Sequence, residues 1–356
     1  MSDVRLATLK SALLASMLAL ASGFFYGCST PYTSRPRLTV LQDVHVRSLR
    51  ATADAVWFVD AAGRNGALTA GFVAKDGQVR RASFTLKDAS LLPNIPPGAG
   101  VTIQPLSGTT ACLTLSAAYP SPHEVAIATV HLDGRHPSLA VEKGVEDLGT
   151  LVLFRHRLFA GESRQALMEL QGGRLVDHWL PKDARAPKNT LFAVTDYRGH
   201  VVVGDGRSSR VGVFSPGDGT WTFANLAGVS NFSSLAFSSD GSAWVLSDAG
   251  RLLTKTAPGF ALQKTFDLTP SAGFGLAVLR NNVACTGSSN GEDAITCVSA
   301  TGRVMRTNVA LAYPPTVVAS SGGHLWYALT DLHAPSWSFG DPDWGSAVGQ
   351  MAVQLR

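Results

Sequence analysis

The sequence predicts an all-β protein, and three observations support this. Apolar residues come in short runs that often alternate with polar ones, a period of two rather than the helical period of about 3.6. The 35 glycines and 18 prolines, together with Asp, Asn and Ser, bound these runs as turns would. Similar units recur along the chain, and no stretch after Arg37 reads convincingly as a helix.

The recurring unit is a turn glycine followed by β-forming residues, and it returns about every 45 residues. Its markers are Gly77, Gly134, Gly173, Gly219, Gly259 and Gly302. A second marker, a turn followed by a large apolar residue, places Trp57, Trp244 and Trp326 in equivalent slots. Such a period with four short strands per unit is typical of a β-propeller. We predict one propeller over residues 37–356 with seven four-stranded blades; six or eight blades, a double sandwich and a solenoid are the alternatives.

The ends of the chain are predicted to close this ring. The last unit, residues 316–356, contains one predicted strand fewer than the other units, and Arg37–Val46 is strand-like. We predict that this N-terminal strand supplies the missing outer strand, which would leave few exposed sheet edges.

Residues 1–28 have the layout of an export signal. Arg5 and Lys10 precede an uncharged apolar stretch, and small residues follow. Gly27-Cys28 resembles the cleavage site of a bacterial lipoprotein, which implies lipidation of Cys28 and, with Ser29 next, an outer-membrane or periplasmic location. Cleavage after Ala21 and an uncleaved anchor are the alternatives. Residues 29–36 are then a linker.

Two of the four cysteines are predicted to pair. Cys285 and Cys297 lie in short apolar runs on either side of a turn cluster, so a hairpin would place their sulfurs on facing strands. An exported chain meets an oxidising compartment, where such a pair can form a disulfide; two buried reduced thiols are the alternative. Cys112 is predicted to be a lone core thiol, since no zinc-ligand spacing occurs.

A family resemblance lies in Trp57-Phe-Val-Asp60 and in the segment from Gly66 to Val79. These residues resemble the repeat of virginiamycin B lyase and of NHL-type propellers. The resemblance implies the blade architecture, and for the lyase it implies a metal-assisted site of Glu and His near the last blades. After residue 170 the only glutamate is Glu292, with no histidine beside it. We therefore expect no lyase activity.

A central cation is a second expectation drawn from resemblance. Gluconolactonase-type propellers place carboxylates and Asn around a cation, and hard oxygen ligands suit a divalent ion. Asp196 and Asn231 are weak candidates for this role at the starts of inner strands, although both residue types are also ordinary turn formers. No cofactor is assured by the sequence.

An irregular segment, residues 332–345, interrupts the last unit. It holds three aromatic residues beside two acids: Trp337, Phe339, Trp344, Asp341 and Asp343. Exposed aromatic residues give contact area at low entropic cost, so the segment is a candidate ligand or partner loop. The alternative is that its tryptophans plug a neighbouring groove.

Composition narrows the function. The net charge of +4 is small and dispersed, which argues against nucleic-acid binding. The leading hypothesis is a non-enzymatic exported propeller, held at the membrane through Cys28, that binds a protein or small ligand. The second is a metal-dependent hydrolase, lactonase or lyase acting at the central channel, and the third is an assembly lipoprotein that augments another chain's strand.

Overall fold

The computed structural model is built of strands. It describes residues 46–60, 67–85, 100–116, 124–143, 148–162, 166–171, 174–179, 181, 192–205, 209–226, 228–229, 231, 233–248, 250–269, 273–288, 295–307, 315–321, 323–329 and 348–353. Twenty-seven strands within these ranges form seven antiparallel sheets, and the same ranges contain no helix. In particular, no helix there has the length and apolar character needed to span a bilayer.

The first three sheets contain four strands each. Sheet one comprises β1 (Val46–Ala51), β2 (Ala55–Asp60), β3 (Ala67–Ala74) and β4 (Val79–Thr85). Sheet two comprises β5 (Gly100–Pro105), β6 (Thr110–Ser116), β7 (Glu124–His131) and β8 (Ser138–Lys143). Sheet three comprises β9 (Leu148–Phe154), β10 (Arg157–Glu162), β11 (Ala166–Gln171) and β12 (Arg174–Trp179).

The next three sheets repeat this arrangement, and the seventh has three described strands. Sheet four comprises β13 (Phe192–Tyr197), β14 (His200–Asp205), β15 (Arg210–Ser215) and β16 (Thr220–Asn225). Sheet five comprises β17 (Ser234–Phe237), β18 (Ala243–Ser247), β19 (Leu252–Thr256) and β20 (Leu262–Asp267). Sheet six comprises β21 (Gly273–Val278), β22 (Val283–Ser288), β23 (Ile295–Ser299) and β24 (Val304–Thr307), and sheet seven β25 (Pro315–Ser321), β26 (His324–Leu329) and β27 (Val348–Ala352).

Each sheet is a meander in which strands pair with their neighbours in sequence. The first strand of every sheet contacts the first strands of the sheets on either side, so these strands form the inner wall of the ring. The outermost strands are far more exposed: in β16 no residue is fully buried, whereas all five residues of β18 are. This gradient explains the sequence pattern, since middle strands packed on both faces read as continuous apolar runs.

The core consists of apolar layers between successive sheets rather than one central cluster. Trp57 of sheet one, for example, packs with Leu113 of sheet two, and Trp244 of sheet five packs with Val298 of sheet six. Each large side chain buried in this way contributes about 2 kcal/mol relative to exposure. Among the described residues, hydrogen bonds between backbone groups run within sheets, so the layers hold the ring together through side chains.

The ring is closed by one such layer between the first and last sheets. Val56 and Phe58 of β2 pack with Ala319 of β25 and Trp326 of β26, and all four are buried. We call this contact the closing seam.

The predicted all-β class and seven blades are confirmed. One boundary was wrong: Val46 belongs to β1, the innermost strand of sheet one, and pairs with Asp60 rather than with the last sheet. The reason is that the strand-like pattern runs unbroken into β1. Residues 37–45, the rest of the predicted closing strand, lie outside the described residues, as do the signal segment 1–28 and the linker 29–36.

Candidate functional site

The two ends of the ring differ in the length of their connections. One end carries the turns between first and second strands and between third and fourth strands. The longest of these turns comprises residues 132–137. We call it the short-turn end. The opposite end carries the links between second and third strands and between successive sheets, including residues 86–99, 180–191 and 330–347. We call it the long-loop end.

The predicted aromatic segment connects two strands at the long-loop end. Leu329, the last residue of β26, and Val348, the first of β27, flank it. Residues 332–345, with Trp337, Phe339, Asp341, Asp343 and Trp344, lie outside the described residues, so their role stays a prediction. Cys28 and Glu292 also lie outside them.

The two candidate cation ligands are not brought together. Asp196 is the penultimate residue of β13, next to a turn of the short-turn end. Asn231 precedes β17, an adjacent inner strand, and therefore lies toward the long-loop end, exposed to solvent with φ of 49°. Among the described residues, no three His, Cys, Asp or Glu side chains form a group that could hold a metal ion. A channel cation stays a prediction without a ligand set.

Cys285 and Cys297 face each other in sheet six. They form a register pair between β22 and β23, with Cα atoms 4.1 Å apart, and a disulfide joins them. Both are fully buried between sheets six and seven. The bond therefore fastens two central strands of one blade and lies away from either end of the ring.

Cys112 is a free thiol in the core between sheets two and three. Burial raises its pKa to about 12, so the thiol stays protonated at neutral pH. A protonated buried thiol is neither a nucleophile nor a metal ligand, which leaves Cys112 as a core side chain.

A buried carboxylate that the sequence did not point out lies in sheet three. Glu169 of β11 is 1% exposed and receives two hydrogen bonds from Arg157: Nε to Oε1 at 2.5 Å and Nη2 to Oε2 at 2.7 Å. His178 Nε2 donates to Oε2 at 2.8 Å, because an ionised carboxylate can only accept. Arg157 Nη1 also donates to the carbonyl of Pro216 in sheet four at 2.6 Å. We call these groups the Glu169 cluster.

The electrostatics of the Glu169 cluster fit a structural role. Burial by itself raises the pKa of Glu169, but the hydrogen bonds from Arg157 and then from His178 and Gln171 outweigh it and lower the pKa to about 2. Such a carboxylate is a weak base, and both of its oxygens already accept hydrogen bonds. His178 is fixed further by packing against Phe214 of sheet four, with ring centroids 4.8 Å apart. The cluster therefore joins sheets three and four.

A second polar cluster joins sheets five and six. Asp240, in the turn before β18, accepts hydrogen bonds at Oδ1 from the hydroxyls of Ser238 and Ser242 and at Oδ2 from Asn282 Nδ2. Asn282 Oδ1 in turn accepts from the indole N–H of the buried Trp244 at 2.8 Å. The hydroxyls of Ser238 and Ser242 lower the pKa of Asp240 to about 2. We call this set the Asp240 cluster.

Two arginines occupy equivalent turns of the short-turn end. Arg155 lies between β9 and β10, Arg198 lies between β13 and β14, and both side chains are exposed. Arg155 stacks over the ring of Phe154 and Arg198 over that of Tyr197, with guanidinium carbons 5.3 Å and 5.1 Å from the ring centroids. The sequence carries a signal for this arrangement: an aromatic residue followed by arginine occurs twice, one repeat unit apart.

Comparison with known proteins identifies the fold. No protein-family model and no curated protein matches the sequence. Among solved structures, virginiamycin B lyase from Staphylococcus aureus is similar, with 12% identity, a TM-score of 0.62, and coverage of 89% of this chain and 98% of that one.

Two further structures are similar over comparable lengths. The β-propeller domain of Cps50 (Swd1) from Myceliophteria thermophila has 10% identity, a TM-score of 0.64, and coverage of 90% of this chain and 100% of that one. YCF48 bound to a D1 peptide has 11% identity, a TM-score of 0.58, and coverage of 90% and 94%. At these identities the likeness concerns the fold alone. The chain is a seven-bladed β-propeller of the kind that virginiamycin B lyase adopts, as the sequence resemblance implied.

Proposed function

We propose that this chain is an exported, lipid-anchored β-propeller that binds a protein or small ligand at its long-loop end. One observation carries the proposal: the long connections all leave the ring at the same end, and the aromatic and acidic segment belongs to one of them. Binding residues are commonly found on loops that a rigid scaffold positions. YCF48, one of the similar structures, binds a peptide, which supports a protein partner here.

The sequence supports the anchor. The apolar stretch before Gly27-Cys28 would direct export, and acylation of Cys28 would hold the propeller at a membrane surface. The disulfide in sheet six agrees with an oxidising compartment.

The binding proposal is tested by capture of a partner with the full chain. Affinity-purified wild type and a Trp337→Ala/Trp344→Ala variant are incubated with extracts of the source cells, and bound proteins and small molecules are quantified by mass spectrometry. We expect a ligand in near-stoichiometric amount on the wild type and its loss from the variant. Phe223→Ala is the matched control, because Phe223 is an aromatic residue 38% exposed on the outermost strand β16 and does not belong to the segment 332–345.

Two results would contradict the proposal. Equal capture by the wild type and the double variant would show that the aromatic segment is not part of the binding site.

The lipid anchor has a test of its own. Mass analysis of the mature N-terminal peptide should show an acylated Cys28 as the first residue. An unmodified cysteine or a different first residue would contradict lipidation, and Cys28→Ser supplies the unacylated reference.

A further inference from the structure

The short-turn end carries two strained turns on neighbouring sheets. Arg155 and His156 form the turn of sheet three with φ of 45° and 67°, and Arg198 opens the equivalent turn of sheet four with φ of 47°. A two-residue hairpin turn requires this left-handed conformation, and a non-glycine residue adopts it at a cost in backbone strain.

The arginine side chains of these turns are held in place rather than free in solvent. Each guanidinium stacks on the aromatic ring of the residue before it, as described above. Stacking occupies the flat face of a guanidinium and leaves the N–H groups of its edge available as donors. An ordered guanidinium loses less conformational entropy when it binds an anion.

Both arginines also reach toward the next sheet. A Cβ atom added at Gly199 would lie 3.8 Å from Nη2 of Arg155, and one at Gly241 would lie 2.9 Å from Nη2 of Arg198. Because Gly199 directly follows Arg198, the guanidinium of Arg155 lies against the turn that carries Arg198. The two side chains therefore belong to one continuous surface over sheets three to five.

Some, but not all, basic side chains of the short-turn end are neutralised: Arg280 and Arg303, in turns of sheet six, are exposed and, within the described residues, take part in no ion pair. Three other basic side chains there are paired with carboxylates: Lys75 with Asp54, Arg135 with Asp133, and Arg157 with Glu169. Within the part of the chain that the structure describes, no ion pair joins a carboxylate to Arg155 or Arg198.

We propose that Arg155 and Arg198 form a docking site for an acidic peptide segment of a partner protein. Two ordered guanidinium groups on one surface match carboxylates, which they can bind through paired N–H groups. The surrounding charges favour a peptide over a flat anionic membrane, because a membrane would also approach Asp76 and Asp218, two exposed acids of the same end that would repel it. The site is separate from the long-loop end and does not depend on binding there.

The test measures binding of fluorescein-labelled hexaglutamate to the full chain in detergent micelles by fluorescence anisotropy. We expect saturable binding that weakens with salt, and a loss of about tenfold in affinity for each guanidinium removed. Arg155→Gln/Arg198→Gln should thus bind about a hundredfold more weakly than the wild type. Arg135→Gln is the matched control: it removes one positive charge from the same end, where the guanidinium already pairs with Asp133, and its affinity should stay within about twofold.

A second variant separates shape from charge. Arg198→Lys keeps the charge but removes the planar group, so its affinity should fall between those of the wild type and Arg198→Gln. It also keeps the test valid if the double glutamine variant fails to fold, which circular dichroism would reveal.

Any of four results would overturn the proposal. They are absence of hexaglutamate binding to the wild type, equal weakening in Arg135→Gln, full affinity in Arg198→Lys, and tighter arginine-dependent binding to phosphatidylglycerol vesicles than to the peptide.

Discussion

The junction between sheets three and four and the junction between sheets five and six are each held by a carboxylate whose pKa is lowered to about 2. Their surroundings differ. Glu169 is 1% exposed and balanced by the charge of Arg157, whereas Asp240 is exposed and stabilised mainly by neutral hydroxyl groups. A buried ion has no water to replace a lost partner, but an exposed one does. The two carboxylates have similar pKa values, but we expect the stability of the fold to depend more strongly on Glu169 than on Asp240.

Removal of the buried charge is expected to have the largest effect. Glu169→Gln keeps the shape of the side chain but leaves the guanidinium of Arg157 without its counter-charge, which should cost about 3 kcal/mol of unfolding free energy. Asp240→Asn, the matched change at the other junction, should cost about 1 kcal/mol. Urea denaturation followed by tryptophan fluorescence measures both, and equal losses would refute the contrast between the junctions.

The contact between sheets four and five can be separated from backbone strain. Gly241 has φ of 89°, and a Cβ there would collide with the hydroxyl of Tyr197 and approach Arg198. Gly77 has nearly the same φ, 88°, with no atom within 4 Å of its added Cβ. We expect Gly241→Ala to cost about 2–3 kcal/mol and Gly77→Ala about 1 kcal/mol. Similar losses in thermal unfolding would mean that strain dominates and that the close approach has little energetic weight.

Asn282 tests the junction between sheets five and six directly. Its φ of 60° is left-handed, and its side chain bridges Asp240 and the buried indole of Trp244. Asn282→Ala should cost about 2 kcal/mol, because it leaves the indole N–H without an acceptor and strains the backbone. Asn282→Gly removes the same bridge without the strain and should cost about 1 kcal/mol. If glycine proves the worse replacement in equilibrium unfolding, backbone strain does not separate the two variants; if neither variant loses stability, the bridge does not hold this turn.

The pH dependence of stability tests the Glu169 cluster without changing the wild-type sequence. The pKa of Glu169 falls from its ordinary value of 4.5 to about 2 on folding, so the folded state favours the ionised form. The resulting stabilisation is complete above pH 4.5 and is lost as the pH falls toward 2. The wild type should therefore lose stability more steeply than Glu169→Gln between pH 5 and pH 3 in urea titrations, and parallel profiles would contradict this linkage.

The blade architecture was predictable because each blade repeats a local pattern. Turn glycines such as Gly219 and Gly302 adopt positive φ in tight turns, and Trp244 and Trp326 fill equivalent buried positions in β18 and β26. The same repeat placed Cys285 opposite Cys297, since hairpin register follows from the turn between two short strands.

The polar clusters were not predictable from local patterns. Arg157, Glu169 and His178 come from three consecutive strands, so their meeting depends on the register of the whole sheet and on a carbonyl of the next sheet. Asp196 and Asn231 show the converse: the sequence places both on or beside inner strands, but they lie toward opposite ends of those strands. Sequence spacing fixes which strand a residue joins, whereas convergence of side chains depends on how far along the strand it lies.

The closing seam has a consequence for how the protein is made. Phe58 belongs to the first sheet, but its packing partners Ala319 and Trp326 belong to the seventh and are synthesised after all the sheets between. Individual sheets can form in order of emergence because each pairs only neighbouring strands. The apolar face of the first sheet must nevertheless stay uncovered until the seventh sheet has been synthesised. Nascent chains of this protein are therefore most prone to aggregation just before ring closure, when a holding chaperone would have the greatest benefit.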